Sequence, residues 1–115
     1  MKLIDLTHTL SDCIPSWDGK ADFALTAVTD YKDCTPPDLF RTQKIHASVS
    51  LGTHLDAPAH VIPGGRTMEK LTFEELVVDN VANADLLPAT GAKVFVLPMK
   101  IQNATEAPLR LIAVT

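Results

Sequence analysis

The stretch SLGTHLDAPAHVIPGG, residues 50–65, places two of the chain's four histidines and one aspartate within seven residues, namely His54, Asp56 and His60. Side chains of a β-strand alternate between its two faces, so His54 and Asp56 would project in the same direction, roughly 7 Å apart along the strand. Pro58 ends such a strand and lets the chain bend His60 back toward the same point. The pattern therefore predicts that two imidazoles and a carboxylate converge.

Imidazole and carboxylate groups on one face are ligands that suit Zn²⁺, Mn²⁺ or Fe²⁺. A cation with open coordination positions lowers the pKa of bound water to about 7, which makes hydroxide available for hydrolysis. In a strand, Gly52 would leave this face open for a ligand to approach the backbone. The alternative interpretation is an ordinary solvent-facing strand, because polar residues are common on such faces. The spacing alone leaves the two interpretations about even.

Residues 41–57 alternate between apolar and polar side chains and predict one continuous strand that contains the first part of this motif. In that strand His46 would lie roughly 26 Å from His54, too far to share a cation unless the strand bends sharply. His8 falls on the apolar face of a first strand over residues 2–10. We predict that it is a hydrogen-bonded core histidine.

Strands are also predicted over residues 21–31, 93–101 and 109–114, with residues 102–108 as the connection between the last two. Pro36 and Pro37 indicate a loop, since neither can pair in a central strand. A capping-box pattern from Thr72 to Glu75 predicts a short helix, and residues 83–91 predict a helical turn. The expected fold is one α/β domain over residues 1–115, strand-rich with one or two short helices.

The composition restricts the function classes. The chain has 115 residues, 46% of them hydrophobic, and a net charge of −4 without a run of basic residues, so nucleic acid and anionic membranes are not expected partners. No apolar run approaches the roughly 20 residues of a membrane span. The N-terminal residues become polar too early for a signal peptide. Cys13 and Cys34 are predicted to be reduced thiols in a cytoplasmic protein, with a lone disulfide as the alternative.

Residues 50–60 resemble the motif H-x-G-T-H-x-D-x-P-x-H of the metal-dependent cyclase family, which includes bacterial kynurenine formamidase (arylformamidase) and isatin hydrolase. Residues 4–17, 60–77 and 80–114 are similar to other segments of that family. The resemblance implies a swivelling β/β/α fold and oligomeric assembly. It also implies metal-assisted hydrolysis of a formyl or cyclic amide, such as an N-formylkynurenine-like or isatin-like substrate.

Three departures from the family pattern stand out. Ser50 replaces the first histidine of the motif, which is a metal ligand in the formamidases. A central block of the family, which carries a histidine for proton transfer, is missing, and the predicted junction lies at residues 77–79. Asp79 replaces a metal-binding glutamate. The resemblance thus implies a shortened family member that keeps only part of the site.

Carried over residue by residue, the resemblance makes His54 a ligand of a first metal and Asp56 a bridging ligand, with His60 and Asp79 completing a second site. A single Zn or Mn ion bound by Asp56, His60 and Asp79, with or without His54, is the alternative. Asp56 and His60 are also the expected catalytic residues, and Trp17 and Ser50 the expected substrate-binding residues.

Two functions follow. The first is a small arylformamidase-like amidohydrolase. The second is a catalytically impaired relative that serves as a small-molecule-binding, metal-binding or assembly module. Because loss of central elements from a layered fold exposes apolar surface and strand edges, we expect a homodimer or a larger homo-oligomer.

Overall fold

The computed structural model describes residues 1–72 and 77–115. Within them lie seven strands: β1 (Leu3–Asp5), β2 (Phe23–Thr29), β3 (Thr42–Ala47), β4 (His54–Asp56), β5 (Val77–Asp79), β6 (Lys93–Pro98) and β7 (Glu106–Val114). The helical segments of the described residues are short 3-10 turns at Tyr31–Asp33, Pro58–His60, Met68–Lys70 and Ala84–Leu86. The predicted strand-rich fold with few short helices is confirmed. The helix predicted from the capping box falls on residues 73–76, outside the described residues.

The main sheet is organised around β7, the longest strand. β7 pairs antiparallel with β1, β6 and β4, and β4 pairs antiparallel with β5. The side chains of β7 alternate between buried and more exposed positions. The buried face carries Ala107, Leu109, Leu111 and Ala113. Leu55 of β4 and Leu6 are fully buried on the same side. This side of the sheet faces the hydrophobic core. Glu106, the first residue of β7, lies on the opposite face.

β7 begins three residues earlier than the sequence pattern predicts. Residues 106–108 were expected to lie in the connection between the last two strands. In the structure β6 ends at Pro98, and the Met99 N–H donates to the Pro108 carbonyl at 3.1 Å. Pro108 therefore lies where the β6–β7 ladder ends, and its other edge pairs with His54 of β4.

The continuous strand predicted over residues 41–57 is wrong. β3 ends at Ala47, the chain turns, and β4 begins at His54 in a different sheet. Gly52 has a φ of +69°, which is the left-handed region, and a Cβ at this position would collide with Ile14 Cδ1. Gly52 is therefore required by the turn and by close packing, and it does not open a strand face to a ligand.

The two remaining histidines, His46 and His8, lie outside the motif. His46 lies on β3, largely exposed, with its Nε2 atom 3.9 Å from Asp22 Oδ1. His8 lies beyond the end of β1 and is only partly buried, so the prediction of a core histidine is wrong. Its backbone N–H donates to Thr53 Oγ1 at 3.0 Å.

β2 and β3 form a separate two-stranded antiparallel sheet, which we call the arm. Cys13 and Cys34 are free thiols, as predicted. In the described part of the chain no helix is long and apolar enough to cross a membrane.

Candidate metal centre

The motif residues lie where β4 pairs with the first residues of β7. His54 and Asp56 share one face of β4, as the alternation predicts, while Leu55 between them points into the core. The register places Asp56 directly opposite Glu106, so both carboxylates are on the face opposite the core. Among the described residues, His54, Asp56 and Glu106 are the one group whose ligand atoms all lie within 4.8 Å of one another.

The distances within this group fit a bound cation better than direct hydrogen bonds. His54 Nε2 lies 3.5 Å from Asp56 Oδ1 and 3.9 Å from Glu106 Oε1. Two ligand atoms at about 2.1 Å from a tetrahedral cation lie roughly 3.4 Å from each other. The three side chains are only 14%, 21% and 14% exposed, so water does not fully solvate their charges.

The tautomer of His54 is fixed by its own turn. Its Nδ1 lies 2.8 Å from the Gly52 carbonyl oxygen, which can only accept a hydrogen bond, so Nδ1 donates. In the neutral ring the Nε2 lone pair then points toward Asp56. In metal-binding histidines, the ring nitrogen that does not bind the metal commonly donates a hydrogen bond to a backbone carbonyl.

Asp56 Oδ1 provides an independent test of whether the residues fit a cation. This oxygen is buried and has no hydrogen-bond partner in the described residues, although nearly all buried polar atoms have one. It faces His54 Nε2, which is itself an electron-pair donor in the tautomer described. A positive charge between these two atoms, either a proton on Nε2 or a bound cation, would satisfy both, so the donor set fits a divalent cation.

Thr53 holds the backbone beside these ligands. It is 2% exposed, and its Oγ1 atom donates to the Asn80 carbonyl at 2.9 Å while accepting from the His8 N–H. The Thr53 carbonyl accepts from the Leu109 N–H at 3.1 Å. The start of β4 is thus tied to three other segments, which keeps the direction of His54 fixed.

His60 approaches the group from the 3-10 turn that Pro58 begins. Its Nδ1 atom lies 3.6 Å from Glu106 Oε2, while Glu106 Oε1 faces His54. Glu106 therefore lies between the two histidines, one carboxylate oxygen facing each. His60 is more exposed than the other three side chains and forms the outer side of the site.

The other predicted site residues lie around this group. Asp79 is opposite His54 in the β4–β5 pair, but it is exposed and does not belong to the group of three. Ser50 lies in the turn before β4, with its Oγ 2.9 Å from Ser48 Oγ. Ser50 and Trp17 line one cleft of about 390 Å³, and Trp17 and Asp79 line another of about 370 Å³. Trp17 is fully exposed, and the roles predicted for these residues stay predictions.

Glu106 is the site residue that the sequence analysis missed. The sequence predicted a connection over residues 102–108, so Glu106 was not placed on either face of a strand. The available signal was the alternation of residues 106–114, in which Glu106 falls on the face opposite Ala107 and Leu109.

The chain matches the model of the Cyclase family, described as "Putative cyclase", over residues 4–107. Because this match covers most of the chain, the protein belongs to the Cyclase family. Among curated protein sequences, none matches the chain.

The fold is similar to two isatin hydrolase A structures. The structure from Labrenzia aggregata bound to benzyl benzoate has a TM-score of 0.76 and 17% identity, covering 97% of this chain and 93% of the hydrolase. The structure from Ralstonia solanacearum has a TM-score of 0.75 and 15% identity, covering 97% and 91%. These similarities confirm the predicted fold.

Proposed function

We propose that this protein is a metal-dependent hydrolase of the Cyclase family that acts on a formyl or cyclic amide. The observation that carries the proposal is the buried Asp56 Oδ1, which has no hydrogen-bond partner among the described residues and faces His54 Nε2 beside Glu106. Membership of the Cyclase family and the fold shared with isatin hydrolase A support the class of substrate. The two free thiols favour a reducing compartment, so we place the activity in the cytoplasm.

His54, Asp56 and Glu106 would hold the cation, with Zn²⁺ or Mn²⁺ suited to one imidazole and two carboxylates. When bound, such a cation supplies Lewis-acid chemistry and acidifies water. Three protein ligands would leave coordination positions for water and substrate. Asp79, opposite His54 in the β4–β5 pair, is the residue that we propose for a second cation.

His60 is the group best placed to move a proton. Its Nδ1 faces Glu106 Oε2, and its side chain is partly exposed at the edge of the site. One ring nitrogen can therefore be held by the carboxylate while the other exchanges a proton with substrate or solvent. Trp17 offers an exposed aromatic face beside Asp79 on which a flat aromatic amide can lie.

A second candidate function is a metal-binding or small-molecule-binding module without turnover. Ser50 favours it, because this residue replaces a family ligand and its hydroxyl interacts with Ser48 in the turn. In that case the cation would still bind, while the acid–base groups of a longer family member would be missing. Losing one well-placed acid or base costs about 10²–10⁴ in rate.

Metal content measured by mass spectrometry on untagged protein tests the proposal. We expect near-stoichiometric Zn or Mn in the wild type and little in Asp56→Asn or Glu106→Gln. His46→Gln is the matched control, because His46 also lies within 4 Å of an aspartate but at an exposed position. Asp79→Asn should halve the content if two cations bind and leave it unchanged if only one does.

Turnover distinguishes the two candidate functions. Hydrolysis of N-formyl arylamines or isatin-like lactams that a chelator abolishes and added metal restores would support the enzyme. Metal bound without turnover would support the binding module. No bound metal after reconstitution would overturn both the enzyme and the metal-binding module, since both rest on the same three residues, and would leave the small-molecule-binding module.

A further inference from the structure

Trp17, the one tryptophan of the chain, lies in the segment between β1 and β2. Its side chain is fully exposed, so packing of the indole itself does not fix its position. A hydrogen bond from the Gly19 N–H to the Ser16 carbonyl at 3.2 Å closes a turn around it. The direction of this turn therefore depends on the two residues just before it, Ile14 and Pro15.

Ile14 ties the segment to the turn before β4. It is 5% exposed, and it packs so closely on Gly52 that a Cβ added there would collide with its side chain. The Gly52 carbonyl accepts the hydrogen bond from His54 Nδ1 at 2.8 Å. The glycine that sets the tautomer of a candidate metal ligand is thus also the first anchor of the segment that carries Trp17.

Asn80 ties the same segment to the end of β5. It directly follows that strand, and its Nδ2 atom donates to the Pro15 carbonyl at 3.1 Å. Its own carbonyl accepts from Thr53 Oγ1 at 2.9 Å. Through its side chain Asn80 therefore holds the segment that carries Trp17, and through its backbone it holds the residue before His54.

The backbone conformation of Asn80 explains why an asparagine supplies this amide. Its φ of +54° is in the left-handed region, which asparagine adopts more readily than most residues other than glycine. Glycine would suit this backbone but has no side chain to reach Pro15. Asn83 also has a φ of +54°, and its Nδ2 donates to the Asp5 carbonyl at 2.9 Å. Asn83 is therefore a matched control, with the same backbone and the same type of hydrogen bond to a different segment.

The hydrogen bond from Asn80 closes one side of a cleft of about 370 Å³, which is lined by Pro15, Ser16, Trp17, Asp79 and Asn80. Asp79 lies opposite His54 in the β4–β5 register, and residues directly opposite in a ladder project from the same face of the sheet. The cleft therefore adjoins the face that carries the candidate metal centre. A flat ring that lies on Trp17 in this cleft would be held beside that centre.

We propose that Asn80 is a positioning residue, which fixes the Trp17 indole relative to the candidate metal centre so that the aromatic ring of an amide substrate lies in this cleft. The substrate part of this inference rests on the proposed function, whereas the positioning of Trp17 does not. Without the Asn80 amide, Ile14 remains of the two anchors, and Trp17 lies three residues beyond it. The indole then has more freedom, and part of the advantage of a fixed stacking surface is lost.

Time-resolved fluorescence anisotropy of Trp17 tests the positioning without substrate or metal. Asn80→Gly keeps the left-handed backbone and the carbonyl that accepts from Thr53, and it removes the hydrogen bond to Pro15. We expect larger local motion of the indole in Asn80→Gly than in the wild type, and no change in Asn83→Gly. Unchanged motion in Asn80→Gly, or the same increase in both variants, overturns the proposal.

Quenching of Trp17 fluorescence by an N-formyl arylamine tests the placement of the ring. We expect Asn80→Gly to raise the Kd about 3–10-fold, which corresponds to the loss of one aromatic contact. In turnover, KM should rise by the same factor while kcat and the metal content stay unchanged, and an N-formyl alkylamine should show no rise. A fall in kcat at constant KM, or no quenching in the wild type, overturns this placement. Quenching without turnover would instead count against the proposed hydrolase, so the two failures are distinguishable.

Discussion

The main sheet and the arm use the same alternation of apolar and polar residues, yet they differ in burial. β7 buries every second side chain from Ala107 to Ala113, whereas neither β2 nor β3 contains a buried residue. The main sheet has a second layer of chain over its apolar face, and the arm has none in the described structure. An alternating pattern therefore specifies a strand with two unlike faces, but not what covers the apolar one.

The same contrast separates the two histidine–aspartate pairs. His54 and Asp56 are largely buried beside Glu106, while His46 on the arm and Asp22 next to β2 are exposed. Burial removes the water that would otherwise satisfy the carboxylate. The first pair therefore fits a cation site better than the second, although the two pairs have similar separations.

The largest expected effect compares buried and exposed leucines. Leu55→Ala removes a side chain with no exposed surface and should lower the free energy of unfolding by about 2–5 kcal/mol. Leu25→Ala on the arm should change it by less than about 0.5 kcal/mol in monomeric protein. Urea denaturation at low protein concentration measures both, and equal losses would contradict the contrast between sheet and arm.

The second prediction concerns the candidate site. Glu106→Gln keeps the size of the side chain but removes its charge, and should weaken metal binding at least about 100-fold. Loss of a residue that only hydrogen-bonds a metal ligand already lowers metal affinity about 10–100-fold. Loss of a ligand itself should lower it no less. Competition with a chelator of known affinity gives the constant. Asp22→Asn, next to β2, should leave the metal-binding constant unchanged. A similar loss of metal affinity in both variants would mean that burial of the carboxylate does not decide where the metal binds.

The third prediction compares two glycines with positive φ. Gly52→Ala should destabilise the protein by about 2 kcal/mol or more, because the backbone is left-handed and the added Cβ meets Ile14. Gly19 has a φ of +72° but open space around it, so Gly19→Ala should cost only about 1 kcal/mol. Thermal unfolding of the two variants gives the difference, and equal costs would show that the contact with Ile14 relaxes freely.

The smallest expected effect is a pH dependence at the loop that connects β2 and β3 of the arm. The hydrogen bond from the Arg41 guanidinium holds the pKa of Asp30 below its ordinary value, with a second contribution from the Tyr31 N–H. A carboxyl whose pKa is lowered by folding stabilises the native state above its unfolded pKa of about 3.9. That contribution is lost as the pH falls through the folded value.

Arg41→Gln should therefore make the melting temperature slightly less sensitive to pH between pH 5 and pH 2. The wild type titrated in parallel is the reference. Because Asp30 is at the surface the difference should be small, and an increased acid sensitivity in the variant would contradict it.

Much of the fold follows from local patterns. The sequence predicted strands at β2, β6 and most of β7, and Pro36 and Pro37 marked a loop. The prediction of one strand over residues 41–57 was wrong because apolar and polar residues keep alternating through the turn between β3 and β4. The alternation alone therefore does not reveal the turn. The turn that separates β3 from β4 includes Gly52, which has a positive φ and packs closely against Ile14. The central block that the family resemblance implied to be missing stays a prediction.

The sequence by itself determined that His54 and Asp56 share a face, because the parity of a strand is a local property of the backbone. It also determined the family, through a motif contained in residues 50–60. Only the tertiary structure decided that Glu106 completes the group, since the β4–β7 register sets which distant residue lies opposite Asp56. Likewise, the fold and not the pattern decided which apolar faces are buried, because burial depends on what another segment, or another copy, brings into contact.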